Sequence, residues 1–351
     1  MTLALYPWQQ TVWRQLNALR VNLPHAILLY GPQGAGKSQL AEYFAKTLLC
    51  ENSQAEYHAC GKCASCVWFE AMNHPDYRRV RPETLEEAGA EAGEGAGEAG
   101  GEGAADAKKG GKAAKNPSKE IKIDQIRALA DFMNLSTHRQ GLRVVVLYPA
   151  EALNMIAANA LLKTLEEPPP GTVFLLVTHR RDRLLPTLLS RCRQIALPLP
   201  DHASALSWLN QQGIADAAQG LAEQGGAPLS VLQMAQEGNR DELDWFVQQL
   251  MQPGIDNALK IAEKLQKAPV SQLLICLQRW LYDLFSFKLT GTIRYYPRHR
   301  QNLAGLAQRL DLPRLLRTMK LMNQRRAIAE HPLAPKLFIE DMLLDYCALY
   351  V

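Results

Sequence analysis

The sequence predicts an α/β fold with a parallel sheet, followed by an all-helical C-terminal part. Strand-like apolar runs at Ala26–Tyr30, Val144–Leu147 and Val173–Val177 alternate with helical patterns, the mark of β-loop-α units in a sheet covered by helices. A glycine-rich loop, Gly31–Ser38, joins the first run directly to a helical segment. Beyond Pro200 the strand-like runs stop, and helical segments separated by glycines take over.

At 351 residues and 47% hydrophobic content, the chain has material for two or three domains with ordinary buried cores. Its longest apolar clusters fall far short of the roughly 18 residues that a membrane span needs. Met1–Trp8 lacks a charged stretch followed by an apolar one, so nothing directs secretion and a cytoplasmic location is expected. In that compartment the seven cysteines point away from disulfides, and the four crowded into Cys50–Cys66 point to metal. The formal net charge is +4, but Glu83–Lys119 carries eight acids and five lysines, so the remainder nets +7. That mild basicity permits contact with nucleic-acid phosphates without requiring it.

Taken in chain order, Ala26–Tyr30 is a short buried strand and Ser38–Leu49 the helix after the glycine loop. Glu83–Lys119 is rich in Ala, Gly and Glu, then Lys, with Leu85 its one large aliphatic residue, so it cannot build a core. It reads as a disordered insertion inside the first domain, because α/β patterning resumes at Ile121; a docking tail for a basic partner is the alternative. Val144–Leu147 is a second buried strand, followed by a helix to Glu167 that Pro168–Pro170 stop. Val173–Val177 is a third strand. Ala203–Gln211 and Pro228–Gln236 read as short helices, and longer ones follow from Asp241. Among these, Ser271–Lys288 is apolar on most sides and is expected to be buried in a bundle. Arg294–Arg300 interleaves cations with tyrosines, as single-strand binders do, but a plain exposed loop is the favoured reading.

Gly31-Pro32-Gln33-Gly34-Ala35-Gly36-Lys37-Ser38 matches GxxxxGK[ST] at every defined position, between a strand and a helix. In such a loop Gly31, Gly34 and Gly36 let backbone N–H groups wrap phosphates, Lys37 supplies a mobile positive charge, and Ser38 can ligate Mg2+. Hydrolysis needs acids after a second buried strand, to hold the magnesium shell and activate water. Here Tyr148 and Pro149 occupy those positions. Glu151 is the nearest carboxylate, expected to start the next helix, where acids suit the helix dipole.

Cys50-x9-Cys60-x2-Cys63-x2-Cys66 offers four thiolates within seventeen residues. Two-residue spacings let sulfurs converge on one ion, and four of them fill a tetrahedral Zn2+ shell, making a structural site with no open position. An iron–sulfur cluster and free thiols are the alternatives, and nearby His58 and His74 are expected to be surface residues.

Assembled in order, the motifs resemble a known family. Leu23-Pro24-His25-Ala26, the phosphate loop, the four cysteines, Asn159-Ala160-Leu161-Leu162-Lys163-Thr164-Leu165-Glu166-Glu167-Pro168-Pro169 and Leu188-Leu189-Ser190-Arg191-Cys192 are similar to the bacterial DNA polymerase III clamp-loader subunits of the AAA+ class. The motifs cover about Leu23–Cys192 apart from the insertion. Beyond them the likeness is one of length and helical character. Within the family the delta-prime branch is favoured over the gamma/tau motor branch. Motor subunits carry Asp-Glu where this chain has Tyr148-Pro149, and a lid arginine where this chain has Gly225-Gly226-Ala227-Pro228.

The resemblance implies an AAA+ P-loop domain over residues 1–199 with a zinc module at about 50–66 and the insertion at about 83–119. A small helical lid over 200–240 and a C-terminal helical collar over 241–351 follow. It implies Arg191 as an arginine finger reaching a neighbouring motor subunit's ATP site, and Thr178 at the family's sensor position. It further implies gamma/tau and delta subunits as partners in a ring, contact with the sliding clamp and primer–template DNA through the complex, and no membrane. As part of a polymerase holoenzyme the chain has no polymerase chemistry of its own, ATP hydrolysis by it is not expected, and ATP with Mg2+ at the P-loop stays open. Two rivals remain: a motor-type ATPase using Glu151 as acid, and a small-molecule kinase, which explains neither the cysteines nor Ser190-Arg191-Cys192.

Overall fold

A computed structural model of the chain describes residues 4–53, 55–86, 117–134, 141–238, 240–329 and 334–350. The interior of the expected insertion, residues 87–116, lies outside them. Its flanks are joined: Glu83 accepts a hydrogen bond from the Ser118 N–H at 2.8 Å and pairs with Lys122 at 2.8 Å. The chain divides into two compact units between Leu199 and Pro200.

In the first unit, β1 (Ala26–Tyr30), β2 (Tyr77–Val80), β3 (Arg143–Leu147), β4 (Thr172–Thr178) and β5 (Arg193–Ala196) form one parallel sheet in the order β2-β3-β4-β1-β5. The three strands expected from apolar runs are the three inner ones. The two edge strands, Tyr-Arg-Arg-Val and Arg-Gln-Ile-Ala, carry the polar residues that blunt sheet edges, which is why no apolar run announces them.

The same unit contains helices α1 (Gln10–Ala18), α2 (Lys37–Leu49), α3 (Ala64–Glu70), α4 (Ile123–Asn134), α5 (Met155–Glu166) and α6 (Pro186–Arg191). Alternation along the strands splits its core in two. Ile27, Leu29, Val144, Val146 and Leu175 pack with Trp13 and Leu16 of α1 and Leu40 and Phe44 of α2. Leu28, Val145, Leu147 and Leu176 pack with Leu129 of α4 and Leu161 and Leu165 of α5. Each such side chain contributes about 1.5–3 kcal/mol by leaving water. With both faces covered, the inner strands read as continuous apolar runs.

The second unit is helical. α7 (His202–Gln211), α8 (Ala217–Glu223) and α9 (Pro228–Glu237) enclose a small core of Ala205, Leu209, Ala217, Leu221 and Val231. A larger core is built by α10 (Arg240–Leu250), α11 (Ile255–Leu265), α12 (Val270–Thr290), α13 (Arg300–Gln308), α14 (Leu312–Ala329) and α15 (Pro335–Cys347). The helix expected to be buried is α12. Its Trp280 donates Nε1–H to the Tyr346 hydroxyl at 3.0 Å, and Tyr346 donates to the Leu250 carbonyl at 2.6 Å, linking α12, α15 and α10.

Arg294–Arg300 is in part the exposed loop expected, with Arg294, Pro297, Arg298 and Arg300 exposed, but Tyr296 is buried. Asp283, fully buried on α12, accepts the backbone N–H groups of Arg294, Tyr295 and Tyr296, the last at 2.7 Å. That turns Tyr296 into the core, its hydroxyl 3.0 Å from Cys276 Sγ, and sets Tyr295 edge-on to Tyr282. The tyrosines are therefore packing residues, not a stacking platform for bases. Asp283→Ala removes the acceptor of three backbone donors, of which the Tyr296 N–H is buried, and a stranded buried donor costs about 1–3 kcal/mol. We expect urea denaturation to show a loss of at least about 1 kcal/mol; a loss within experimental error contradicts the anchoring role.

Candidate functional site

The phosphate loop leaves the C-terminal end of β1, which is paired on both sides, to β4 and β5. In a parallel sheet that edge is where ligands bind. The loop must turn sharply against its neighbours, and two positions admit no side chain. At Gly31 (φ +152°) a Cβ would meet the Leu197 carbonyl oxygen at 2.2 Å, and at Gly36 (φ +87°) it would meet Gln9 Nε2 at 2.6 Å. Gly36 ends the loop in a left-handed conformation, and Lys37 begins α2, whose N-terminal N–H groups and dipole favour an anion.

Lys37 is almost fully buried, and its ammonium donates to the Pro32 carbonyl at 2.6 Å. Burial pulls its pKa down to about 8, opposed by the nearby charge of Glu151. Ser38 bonds the side chain of Gln39 at 3.0 Å.

Beneath the loop lies a contact that the sequence did not suggest. Gln9, fully buried, donates from Nε2 to the carbonyls of Gly36 at 2.8 Å and Ala35 at 3.3 Å, while its Oε1 accepts the Tyr6 N–H at 3.1 Å. Trp8, stacked on Tyr6, donates its indole N–H to the Ala35 carbonyl at 2.9 Å. No spacing rule links residues 26 positions apart, so nothing in the sequence announced them.

Three further groups gather at the same edge of the sheet. Glu151 does not start a helix as expected; it sits in a 3-10 turn, Ala150–Ala152, and α5 begins later, capped by Asn154, which accepts the Ala157 N–H at 2.8 Å. Its carboxylate accepts the Thr178 hydroxyl at 2.7 Å and the His179 N–H at 2.9 Å, at the end of β4. Both oxygens are thus engaged, which weakens Glu151 as a base for water. Burial lowers the His179 pKa to about 4, and the charge of Lys37 adds to this, so the ring is neutral at pH 7. Tyr148 is half-buried against the core beside β3, and it presents no carboxylate where the motor pattern requires one.

Arg191 ends α6. Its guanidinium donates to the Thr187 carbonyl at 2.9 Å and pairs with Glu166 at the end of α5, a partner within the Asn159–Pro169 motif that the sequence had not suggested. About a third of its side chain remains exposed.

The cysteines converge. Cys50, Cys60, Cys63 and Cys66 place all four sulfurs within 4.8 Å of one another, with Cys50–Cys63 at 3.9 Å and Cys60–Cys66 at 4.0 Å. A tetrahedron of sulfurs around one zinc has edges of about 3.8 Å, so the set fits a metal. Backbone N–H groups aim at the sulfurs, as thiolate ligands require: Lys62 and Cys63 donate to Cys60 at 3.4 and 3.3 Å, and Cys66 donates to Cys63 at 3.4 Å. The same two donors pull the Cys60 thiol down to about 6. Cys63 also caps α3. His58 and His74 are not the surface residues expected. His58 stacks on Trp13 and meets the Tyr43 hydroxyl at 2.9 Å; His74 is buried and accepts the Asp76 N–H at 3.0 Å.

Comparison with known proteins now decides the lineage. A family model described as DNA polymerase III, delta subunit, matches residues 8–201. The chain is 37% identical over 314 residues to DNA polymerase III subunit delta' of Pseudomonas aeruginosa, covering 86% of this chain and 81% of that protein. This chain belongs to the DNA polymerase III delta' family. Family members from Yersinia pestis and Haemophilus influenzae are 36% identical over 209 residues and 31% over 251. Those matches cover 59% and 70% of this chain, and 52% and 66% of the two relatives. Membership agrees with the AAA+ α/β fold seen in the sheet order and the phosphate loop.

The depressed lysine gives this delta' family member a pH signature. The unfolded chain binds a proton at Lys37 up to about pH 10.5, the folded chain only up to about 8, so stability rises with pH between those values. Lys37→Met removes that rise. The unaltered, nucleotide-free chain should gain about 2–3 kcal/mol relative to the variant across this window in denaturant titrations. Parallel stability curves for the two proteins contradict it.

Proposed function

We propose that this chain acts as the delta' subunit of a DNA polymerase III clamp loader, a member of the ATP-driven complex that places the sliding clamp on primed DNA. It is a rigid ring subunit with gamma/tau and delta partners; its Arg191 completes a neighbouring motor subunit's ATP site, and it does not itself hydrolyse ATP. One observation carries the reading above others: 37% identity across 86% of the chain to a protein named subunit delta'. Two local features support it. Tyr148 and Pro149 follow β3 where hydrolysis needs acids, and the Arg191 guanidinium stands partly exposed at the end of α6. Residues 200–240 act as the lid and 241–351 as the collar that joins the ring. Among the described residues no helix is long and apolar enough to cross a membrane, which suits a cytoplasmic replication protein.

The phosphate loop Gly31–Ser38 holds ATP, with Ser38 toward Mg2+ and Lys37 toward the phosphates, as an architectural ligand. Motor-type hydrolysis by Glu151 is disfavoured because both its oxygens are already engaged. Cys50, Cys60, Cys63 and Cys66 hold Zn2+. Four thiolates leave the ion no open position, so it ties the Ala64–Glu70 helix to the end of α2 and performs no chemistry.

Two measurements test this reading. In a loader reconstituted with gamma/tau and delta subunits, Arg191→Ala should leave the chain folded yet lower DNA-stimulated ATP hydrolysis. A finger is worth about 10³–10⁵ at the site it serves, so an unchanged rate rules the finger out. Elemental analysis should find about one zinc per chain, lost on Cys63→Ala; folded, zinc-free protein rules out the metal module.

A further inference from the structure

Phosphate loops work by aiming backbone N–H groups inward, and a peptide plane that flips presents a carbonyl to the phosphate instead. Something must therefore hold the planes. N–H and C=O of a trans peptide point in opposite directions, so gripping a loop carbonyl from outside aims the N–H of the next residue the other way. The segment Tyr6–Gln9 makes such a grip. Gln9 Nε2 donates to the Gly36 carbonyl at 2.8 Å and the Ala35 carbonyl at 3.3 Å, and Trp8 Nε1 donates to the Ala35 carbonyl at 2.9 Å. The Gly36 carbonyl also accepts the Leu40 N–H of α2 at 3.0 Å, so the helix shares in holding the plane that carries the Lys37 N–H; the plane that carries the Gly36 N–H is gripped through Ala35 by both Trp8 and Gln9.

The grip is itself braced. Oε1 of Gln9 accepts the Tyr6 N–H at 3.1 Å, which fixes which end of the amide faces the loop; the opposite orientation would set three oxygens together. Gln9 is fully buried, so its donors have no water to compete for them. The fit is close on the loop side as well, since a Cβ at Gly36 would come within 2.6 Å of Gln9 Nε2 and 2.9 Å of the Tyr6 ring.

We infer that Gln9, assisted by Trp8, is a positioning residue for phosphate binding, holding the Ala35 and Gly36 carbonyls so that the loop N–H groups face a nucleoside di- or triphosphate. This rests on the nucleotide-holding role proposed for the loop. It adds that the competence of the loop is set by a side chain outside the motif.

The test uses the full chain, titrated with Mg-ADP by calorimetry well below its melting temperature. Gln9→Met keeps size and apolar packing but loses both donors; it should weaken ADP binding at least tenfold, with the circular dichroism of the nucleotide-free protein unchanged. Trp8→Phe, which keeps the ring on Tyr6 and loses one donor, should weaken binding at least threefold, and it decides the matter should Gln9→Met fail to fold. A purely structural role for Gln9 predicts a lower melting temperature with the ADP affinity preserved, and that result overturns the inference alone. Absence of ADP binding by the unaltered chain, with Lys37→Ala indistinguishable from it, overturns the nucleotide role of the loop and this inference with it.

Discussion

Everything at the candidate site depends on β1 lying inside a parallel sheet, with strands bonded on both sides. The chain leaving its C-terminal end has nowhere to go but through a narrow turn between the β5 side and the start of α2. The Leu197 carbonyl closes one wall, so Gly31 can carry no side chain. The same sheet edge collects the ends of β3 and β4, which bring Glu151, Thr178 and His179 to the neighbourhood of Lys37. A tight glycine-rich turn and a cluster of polar groups beside it follow from the strand order.

That placement shows why a well-formed phosphate loop need not make an ATPase. Magnesium-held hydrolysis needs a carboxylate at the end of β3, and Tyr148 and Pro149 stand there instead. Glu151 comes within the electrostatic reach of Lys37, but it spends its oxygens bracing the end of β4. Arg191, on α6, has its guanidinium held by Glu166 and the Thr187 carbonyl. Such pairing orders a long side chain at the modest strength expected of a partly exposed pair.

What the sequence revealed, and what it concealed, divides along a physical line. The inner strands were legible because burial on both faces leaves unbroken apolar runs such as Val144–Leu147. The phosphate loop and the cysteines were legible because their geometry is local: a few residues with fixed spacing set the turn or bring the four sulfurs together. The edge strands were not, since Arg78, Arg79 and Arg193 break the apolar pattern. Contacts between distant segments were equally hidden. Nothing marks Gln9 as a partner of Gly36, or Asp283 as the anchor that turns Tyr295 and Tyr296 inward from a stretch that reads as an exposed basic loop. His74 shows the same limit, because a lone histidine gives no sign of whether it will be solvated or, as here, buried.

The account's central claim is that the loop binds without catalysing. It is tested most directly by measuring phosphate release from ATP and Mg2+ by the purified chain alone. The account predicts no turnover above the rate of a Lys37→Ala control. Steady turnover that this substitution abolishes would contradict it and return the chain to the motor class, with Glu151 as the acid.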